Sequence, residues 1–148
     1  MKGLIWLPNN DEITLAKYRI EKAKDCLKAS KLLLDDGLYA DSANRSYYAI
    51  FHSMNALCAL RSVGYKKHSG VLSDFNQNYV KTNLIEIEYS KIAKTAFSVR
   101  TKSDYSDFYV VSKQDVVEQY KNAVKFIDRI DRFINESFTK EISYQINY

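Results

Sequence analysis

The amino-acid sequence predicts an all-α protein, an up-down helical bundle of about five helices, and three observations carry that expectation. Apolar residues recur at intervals of three and four along most of the chain, which lines them up on one face of an α-helix. Only four Gly and one Pro occur in 148 residues, too few for the closely spaced turns of an all-β fold. Hydrophobic residues make up 46% of the chain, ample for one buried core, and one domain is the natural count at this length.

Asp11 or Thr14 can cap the first helix, where Leu15, Tyr18, Ala23, Cys26, Leu27, Ala29, Leu33 and Leu34 keep roughly helical spacing until Asp35, Asp36 and Gly37 end it. A second helix opens between Tyr39 and Ser42, carries Tyr47, Tyr48, Phe51, Met54, Leu57, Cys58 and Leu60, and stops by Gly64. Its aromatic density implies two buried faces. Ser69, ahead of Gly70 to Phe75, reads as the N-cap of a shorter third helix ending around Lys81 to Asn83. Leu84 to Val99 gives a fourth, with Ile85, Ile92, Ala96 and Val99 on its apolar side. From Ser103 to Tyr109 the pattern breaks, because Asp and Ser side chains bond to nearby backbone. Ser112 to Asp115 resembles a capping-box start, after which Val116, Val117, Tyr120, Ala123, Val124, Ile127, Ile130, Phe133 and Ile134 mark the last long helix. Tyr47, Phe51, Leu57, Val99, Val124 and Ile127 are expected to share one core. Residues 11–138 are taken as the domain, residues 1–10 as an N-terminal extension and residues 139–148 as a C-terminal tail, the two stretches where disorder is expected.

A net charge of +4, with 22 basic and 18 acidic residues interspersed, permits contact with nucleic acid without demanding it. Cys26 and Cys58 lack metal-binding spacing and read as buried, reduced thiols. The sequence contains no Walker-type loop, no GxGxxG, no HExxH and no nucleophile elbow, so neither a cofactor nor a metal is expected. No stretch approaches the ~20 apolar residues of a membrane span, and Met1 to Pro8 is too short for a signal peptide. A cytoplasmic protein without membrane contact is the expectation.

Three polar-aromatic stretches hold more hydrogen-bonding side chains than helix packing requires: Asn44 to His52, Lys67 to Gly70, and Arg100 to Phe108. Arg45 and His52 are seven residues apart, which brings an anion binder and a titratable base to nearly one helix face, ~10.5 Å apart along the axis, with Tyr48 close by. Arg100 can hold a phosphate through its planar fork of donors, and Asp104 can orient Arg100 or Arg45. Both arginines are therefore expected to approach the Asp104 to Asp107 segment. Each residue also has a plainer reading. Arg45 could simply be tied to Asp104 or Asp107, locking the second helix to the following break. His52 could be packed among Phe51, Tyr48 and Met54, and Lys67 and His68 either join free backbone N–H groups in an anion site or form a capped, solvated turn.

The order and spacing of the three stretches resemble the small prokaryotic HEPN-domain proteins, over roughly residues 14 to 135. That resemblance implies an up-down helical arrangement, a homodimer, and cleavage of RNA without metal across a cleft to which each subunit contributes. Ribonucleases of this family carry an Arg followed by a His after four to six residues. Arg45 and His52, with six between them, meet that spacing on the second helix. The family's usual place, before the last long helix, holds Arg100 followed by Tyr105. Tyrosine, with a pKa of about 10 against about 6.5 for histidine, is the weaker proton acceptor near neutral pH.

The resemblance thus implies Arg100 on phosphate, Asp104 and Tyr105 shaping the site, and Arg45 and His52 as an auxiliary or catalytic pair. Arg45, Tyr48, Lys67, His68 and Arg100 would contact nucleotide or RNA. It further implies a toxin-antitoxin-like pairing with a small nucleotidyltransferase, which in some such pairs adds AMP to a tyrosine beside the motif, here Tyr105 or Tyr109. Two other readings stay open. The same cluster could belong to a non-catalytic helical module that binds a nucleotide or a protein, or the chain could be a purely structural dimerisation domain.

Overall fold

The computed structural model describes residues 7–107 and 109–146, with backbone alone beyond residue 137. Five α-helices follow in order: α1 (Asn10–Asp35), α2 (Tyr39–Leu60), α3 (His68–Phe75), α4 (Ile87–Tyr105) and α5 (Lys113–Ile146), with a π-helical turn over Asn76–Val80. Among the described residues there is no strand. Most of the expected N-terminal extension, residues 1–6, lies outside the described residues, as do Phe108, Asn147 and Tyr148.

A capping box opens α1. The backbone N–H of Glu12 donates to Asn9 Oδ1 at 2.8 Å, and Asn9 N–H donates to Glu12 Oε1 at 2.9 Å, so the cap lies ahead of the expected Asp11 and satisfies two otherwise unpaired donors. Gly37 ends the run at φ +78°, a left-handed conformation that glycine adopts without steric cost. The returning α2 runs antiparallel to α1, as three contacts along the pair show. Ser62 meets Glu12 and Asn55 meets Arg19, while Ser42 and Ser46 meet Ser30. At the last of these a buried seam forms. Ser30 Oγ lies 2.7 Å from Ser46 Oγ and 3.0 Å from Ser42 Oγ, and Ser42 Oγ donates to the Ser30 carbonyl at 2.8 Å. Small side chains let the two backbones approach here, and each hydroxyl finds a partner where water cannot reach.

The core is one cluster in which Ala16, Ile20 and Ala23 of α1, Ile50, Leu57 and Leu60 of α2, and Phe126, Ile127 and Ile130 of α5 are buried. Each large apolar side chain withdrawn from water contributes about 1.5–3 kcal/mol. Three sequence expectations shift. Leu15 and Tyr18 are 41% and 59% exposed, because the inward stripe of α1 follows Ile13, Ala16, Ile20 and Ala23. Val124 is 37% exposed, since Ala123, Ile127, Ile130 and Ile134 define the inward line of α5 and a residue next to one of them turns ~100° away. Val99 packs with Tyr109 against a second, smaller cluster of Ala43, Val111 and Val116.

Element boundaries also move: α3 ends at Phe75 and passes into the π-helical turn, and α4 opens at Ile87, leaving Leu84 and Ile85 ahead of it. Lys67, not Ser69, occupies the N-cap of α3 and makes no capping side-chain bond. Helix α4 extends through Thr101 to Tyr105, so the described part of the break is residues 106, 107 and 109–112, and Ser112 Oγ accepts the Asp115 N–H at 3.1 Å and opens α5. Helix α5 then continues through the expected boundary at 138 to Ile146.

A buried ion pair fixes α3. The Asp74 side chain is 2% exposed and receives Arg61 Nη2 at 2.6 Å, the Tyr65 hydroxyl at 2.6 Å and Asn78 Nδ2 at 3.0 Å. Tyr65 reaches it across Gly70, where a Cβ would come within 3.0 Å of the ring. No helix among the described residues is long and apolar enough to cross a membrane.

Candidate functional site

Three helices meet around His68. Helix α2 contributes Tyr47, Tyr48 and Phe51 from consecutive turns, α3 contributes His68 as its first residue, and α4 contributes Arg100. The Phe51 ring lies against the imidazole with centroids 4.0 Å apart and planes 27° from parallel, and Tyr48 meets it edge-on at 5.9 Å and 90°. Anchoring of α3 through Asp74 holds the histidine in this aromatic seat.

Polar contacts then orient the ring. His68 Nδ1 lies 2.7 Å from the Tyr47 hydroxyl and 3.5 Å from Arg100 Nη1. A guanidinium can only donate, whereas the Tyr47 hydroxyl can donate or accept, so the Arg100 contact favours a lone pair on Nδ1 while the shorter Tyr47 contact also fits a proton there. No hydrogen bond engages Nε2 among the described residues. Burial pushes the Tyr47 phenol up to about 12, against a smaller opposing pull from Arg100, which keeps it protonated as a donor. The His68 imidazole is held below its ordinary value, first by burial and then by the Arg100 charge, so the neutral ring is favoured.

Arg100 is enclosed by these aromatic groups. Its guanidinium carbon stands 5.2 Å from the Tyr47 ring centre and 5.7 Å from that of Tyr48, and Nη2 reaches the Tyr48 hydroxyl at 3.4 Å. Asp104, one turn further along α4, places Oδ2 2.8 Å from Nε. The distance makes an ion pair, but the N–H is not aligned for a hydrogen bond.

Arg45 follows a different course from the one expected. It donates to Asn44 Oδ1 at 2.8 and 3.3 Å, and its guanidinium carbon stands 4.9 Å from the Tyr48 ring centre. No ion pair joins it to Asp104 or Asp107, because Asp104 has a partner on its own helix at the favourable four-residue interval. His52 lies 6.1 Å from Tyr48, centre to centre. Burial, followed by the charges of Lys22, Arg45 and Arg19, lowers its proton affinity. Of the remaining candidates, Lys67 and Asp107 are exposed, Tyr105 is 81% exposed, and Tyr109 is half-buried in the second cluster.

The sequence reading assigned Tyr47 to the core alone. It is 2% exposed, yet its hydroxyl is the strongest polar contact to His68. The available signal was the tyrosine itself, since a phenylalanine would fill an inward position without a polar tip. Among the described residues, no group of three or more His, Cys, Asp or Glu side chains could hold a metal ion.

The chain has relatives among known proteins. A family model described as HEPN domain matches residues 16–133. A Methanocaldococcus jannaschii protein named "Putative toxin MJ0605" is 36% identical over 136 residues, covering 92% of this chain and 98% of that protein. A UPF0332 protein of Thermotoga maritima is 32% identical over 127 residues, 86% of this chain and 96% of the relative. The crystal structure of TT1696 from Thermus thermophilus superposes with a TM-score of 0.65 at 18% identity, covering 82% of this chain and 97% of that one, a likeness of fold.

Proposed function

The chain belongs to the HEPN domain family, and from that premise we propose that it is the HEPN component of a toxin-antitoxin-like module. In this reading it is a metal-independent RNA endonuclease that works as a homodimer and is controlled by a nucleotidyltransferase partner. The observation that carries the reading is the contact between Arg100 and His68, 3.5 Å apart. An arginine and a histidine, the two chemistries such a ribonuclease needs, meet in space although Tyr105 stands where the family's histidine usually follows the arginine.

Arg100 would bind the scissile phosphate and stabilise the charge that grows on it. Attack of the ribose 2′ oxygen on phosphorus forms one P–O bond and breaks the bond to the 5′ oxygen, leaving a 2′,3′-cyclic phosphate and a 5′-hydroxyl. The proton lost by the 2′-hydroxyl must be taken up and one returned to the 5′ oxygen. A neutral His68, steadied by Tyr47, suits that exchange. The 2.7 Å contact with Tyr47 also accommodates the ring with its proton on Nδ1, which frees Nε2 to accept. Asp104 would orient Arg100, and Arg45 and His52 would serve as auxiliary groups. As a site for AMP transfer by the partner, Tyr105 at 81% exposure is better presented than the half-buried Tyr109.

A second reading, a non-catalytic nucleotide- or protein-binding module, is favoured by Tyr105, which stands at the place of the family's histidine and is 81% exposed. RNA cleavage by the purified chain in excess chelator decides between the two. Wild type should cleave and yield cyclic phosphate ends, while Arg100→Ala and His68→Gln should each lose activity by roughly a hundredfold or more with unchanged helical circular dichroism. Wild type that binds RNA without cleaving it would sink the enzyme and leave the binding module.

A further inference from the structure

Arg19 and Lys22 of α1 take no part in the cluster around Arg100, yet they continue its positive charge. Arg19, Lys22 and Cys26 follow one another at intervals of three and four on α1, and Arg45, Tyr48, His52 and Asn55 do the same on α2, so each set shares a helix face. The antiparallel packing sets the two faces side by side. Arg19 Nη1 donates to the Asn55 carbonyl at 2.8 Å, and at the other end the Arg45 charge acts on the Cys26 thiol, which burial pushes above its ordinary value against that pull. Between them Lys22 stands 5.5 Å from the Tyr18 ring.

The charges in this row are uncompensated. Among the described residues neither Arg19, Lys22 nor Arg45 makes an ion pair, and the hydrogen bonds of the two arginines go to the neutral Asn55 carbonyl and Asn44 carboxamide. Asp25, exposed beside Cys26, pairs with none of them. Two other lysines of α1 are paired: Lys24 meets Asp131 at 3.1 Å and Lys31 meets Asp35 at 2.6 Å. The row also joins the Arg100 cluster directly, because Tyr48 has the Arg45 guanidinium 4.9 Å from its ring centre and the Arg100 guanidinium at 5.7 Å. His52 lies within the row, where burial first and then the charges of Lys22, Arg45 and Arg19 lower its proton affinity.

We propose that Arg19, Lys22 and Arg45 form a second anion-binding row that holds the phosphates of an RNA strand flanking the one at Arg100, a proposal that rests on RNA as the substrate. From Arg45 to Asn55 the helix runs about 15 Å, at 1.5 Å per residue. That length spans four or five phosphates of a stacked strand at ~3.4 Å each. Contacts of this kind set position and affinity and carry no base sequence. A dinucleotide fills only the Arg100 end, whereas a longer strand engages the whole row.

Fluorescence anisotropy with a 2′-O-methyl RNA octamer, whose blocked 2′ oxygen prevents cleavage, tests the row against a matching dinucleotide. In Arg19→Gln combined with Lys22→Ala, octamer affinity should fall roughly tenfold and the slope of log affinity against log salt should shrink by about 1.4, two contacts at ~0.7 each. Dinucleotide binding should be unchanged. Lys22 donates no hydrogen bond among the described residues, so Lys22→Ala alone, with about half that change in slope, keeps the test valid if the Arg19 change disturbs the helix pair. Unaltered octamer affinity and slope in both variants, with binding weakened by Arg100→Ala, would overturn the row and leave RNA as substrate. Wild type that neither binds the octamer nor cleaves RNA would overturn both.

Discussion

The Tyr47 hydroxyl lies 2.7 Å from His68 Nδ1, so a residue buried in α2 determines which ring nitrogen of an α3 residue is left for a ligand. Tyr47→Phe keeps the aromatic packing and removes this bond together with the pull between the hydroxyl and Arg100. The variant should lose RNA cleavage by roughly tenfold, and the His68 titration should move, upward where the hydroxyl donates to a neutral Nδ1 and downward where it accepts from Nδ1–H. Proton NMR of the imidazole follows the titration, and an unchanged curve would mean that the contact does not orient the ring.

Asp104→Asn removes a carboxylate that competes with phosphate for Arg100. Noncleavable RNA should bind roughly threefold tighter, within the range of an exposed ion pair, while cleavage slows because the guanidinium loses its orientation. Faster cleavage alongside tighter binding would show that Asp104 only holds the site closed.

Asp74 is the main polar anchor beneath α3, and breaking it strands Arg61 and Tyr65. Asp74→Ala should cost about 3 kcal/mol in urea unfolding, as expected when one partner of a buried pair is lost. Asp35→Ala, which removes the exposed Lys31 pair, should cost under about 0.5 kcal/mol. Similar losses in the two variants would contradict the burial difference.

Stability should fall in two stages on acidification. His52 and His68 are both held below their ordinary 6.5 in the folded chain. Above 6.5 both states are neutral and the contribution is complete; below it the unfolded chain takes up protons first and stability is lost. Glu12 and Glu86 are lowered from 4.5 by the Ser62 and Arg129 hydrogen bonds respectively, so their contribution is lost only below that value. Urea midpoints between pH 7.5 and 4 should therefore decline from 6.5 downward in wild type. A variant with His52→Gln and His68→Gln should stay flat until about pH 4.5, and an undiminished slope above pH 5 in that variant would reject the assignment.

Helical content and order were legible because they rest on local periodicity. Ile127 and Leu57 are buried as their spacing implies, and Val124 misleads because a run of adjacent apolar residues does not reveal which of them faces inward. Arg100 and His68 were legible as candidates but not as neighbours. Their contact, across 32 positions, depends on the angle of α3, which Arg61 and Asp74 set through a pairing that no local pattern announces. Arg45 was misdirected for the opposite reason: the nearest partner of Asp104 lay four residues away on its own helix, and a local pair forms without loop closure.

The hydroxyl seam of Ser30, Ser42 and Ser46 has a consequence that an apolar contact between the same helices would lack. Alanines in its place would tolerate sliding of α1 along α2, since neighbouring turns of a smooth apolar face fit almost equally well. A slip by one turn here would bury hydroxyls without partners, at about 1–3 kcal/mol each. The seam is therefore a register lock, and the two helices act as a fixed gauge. Any ligand laid across them meets charges whose spacing is set by directional bonds, whatever the looseness of packing elsewhere in the bundle.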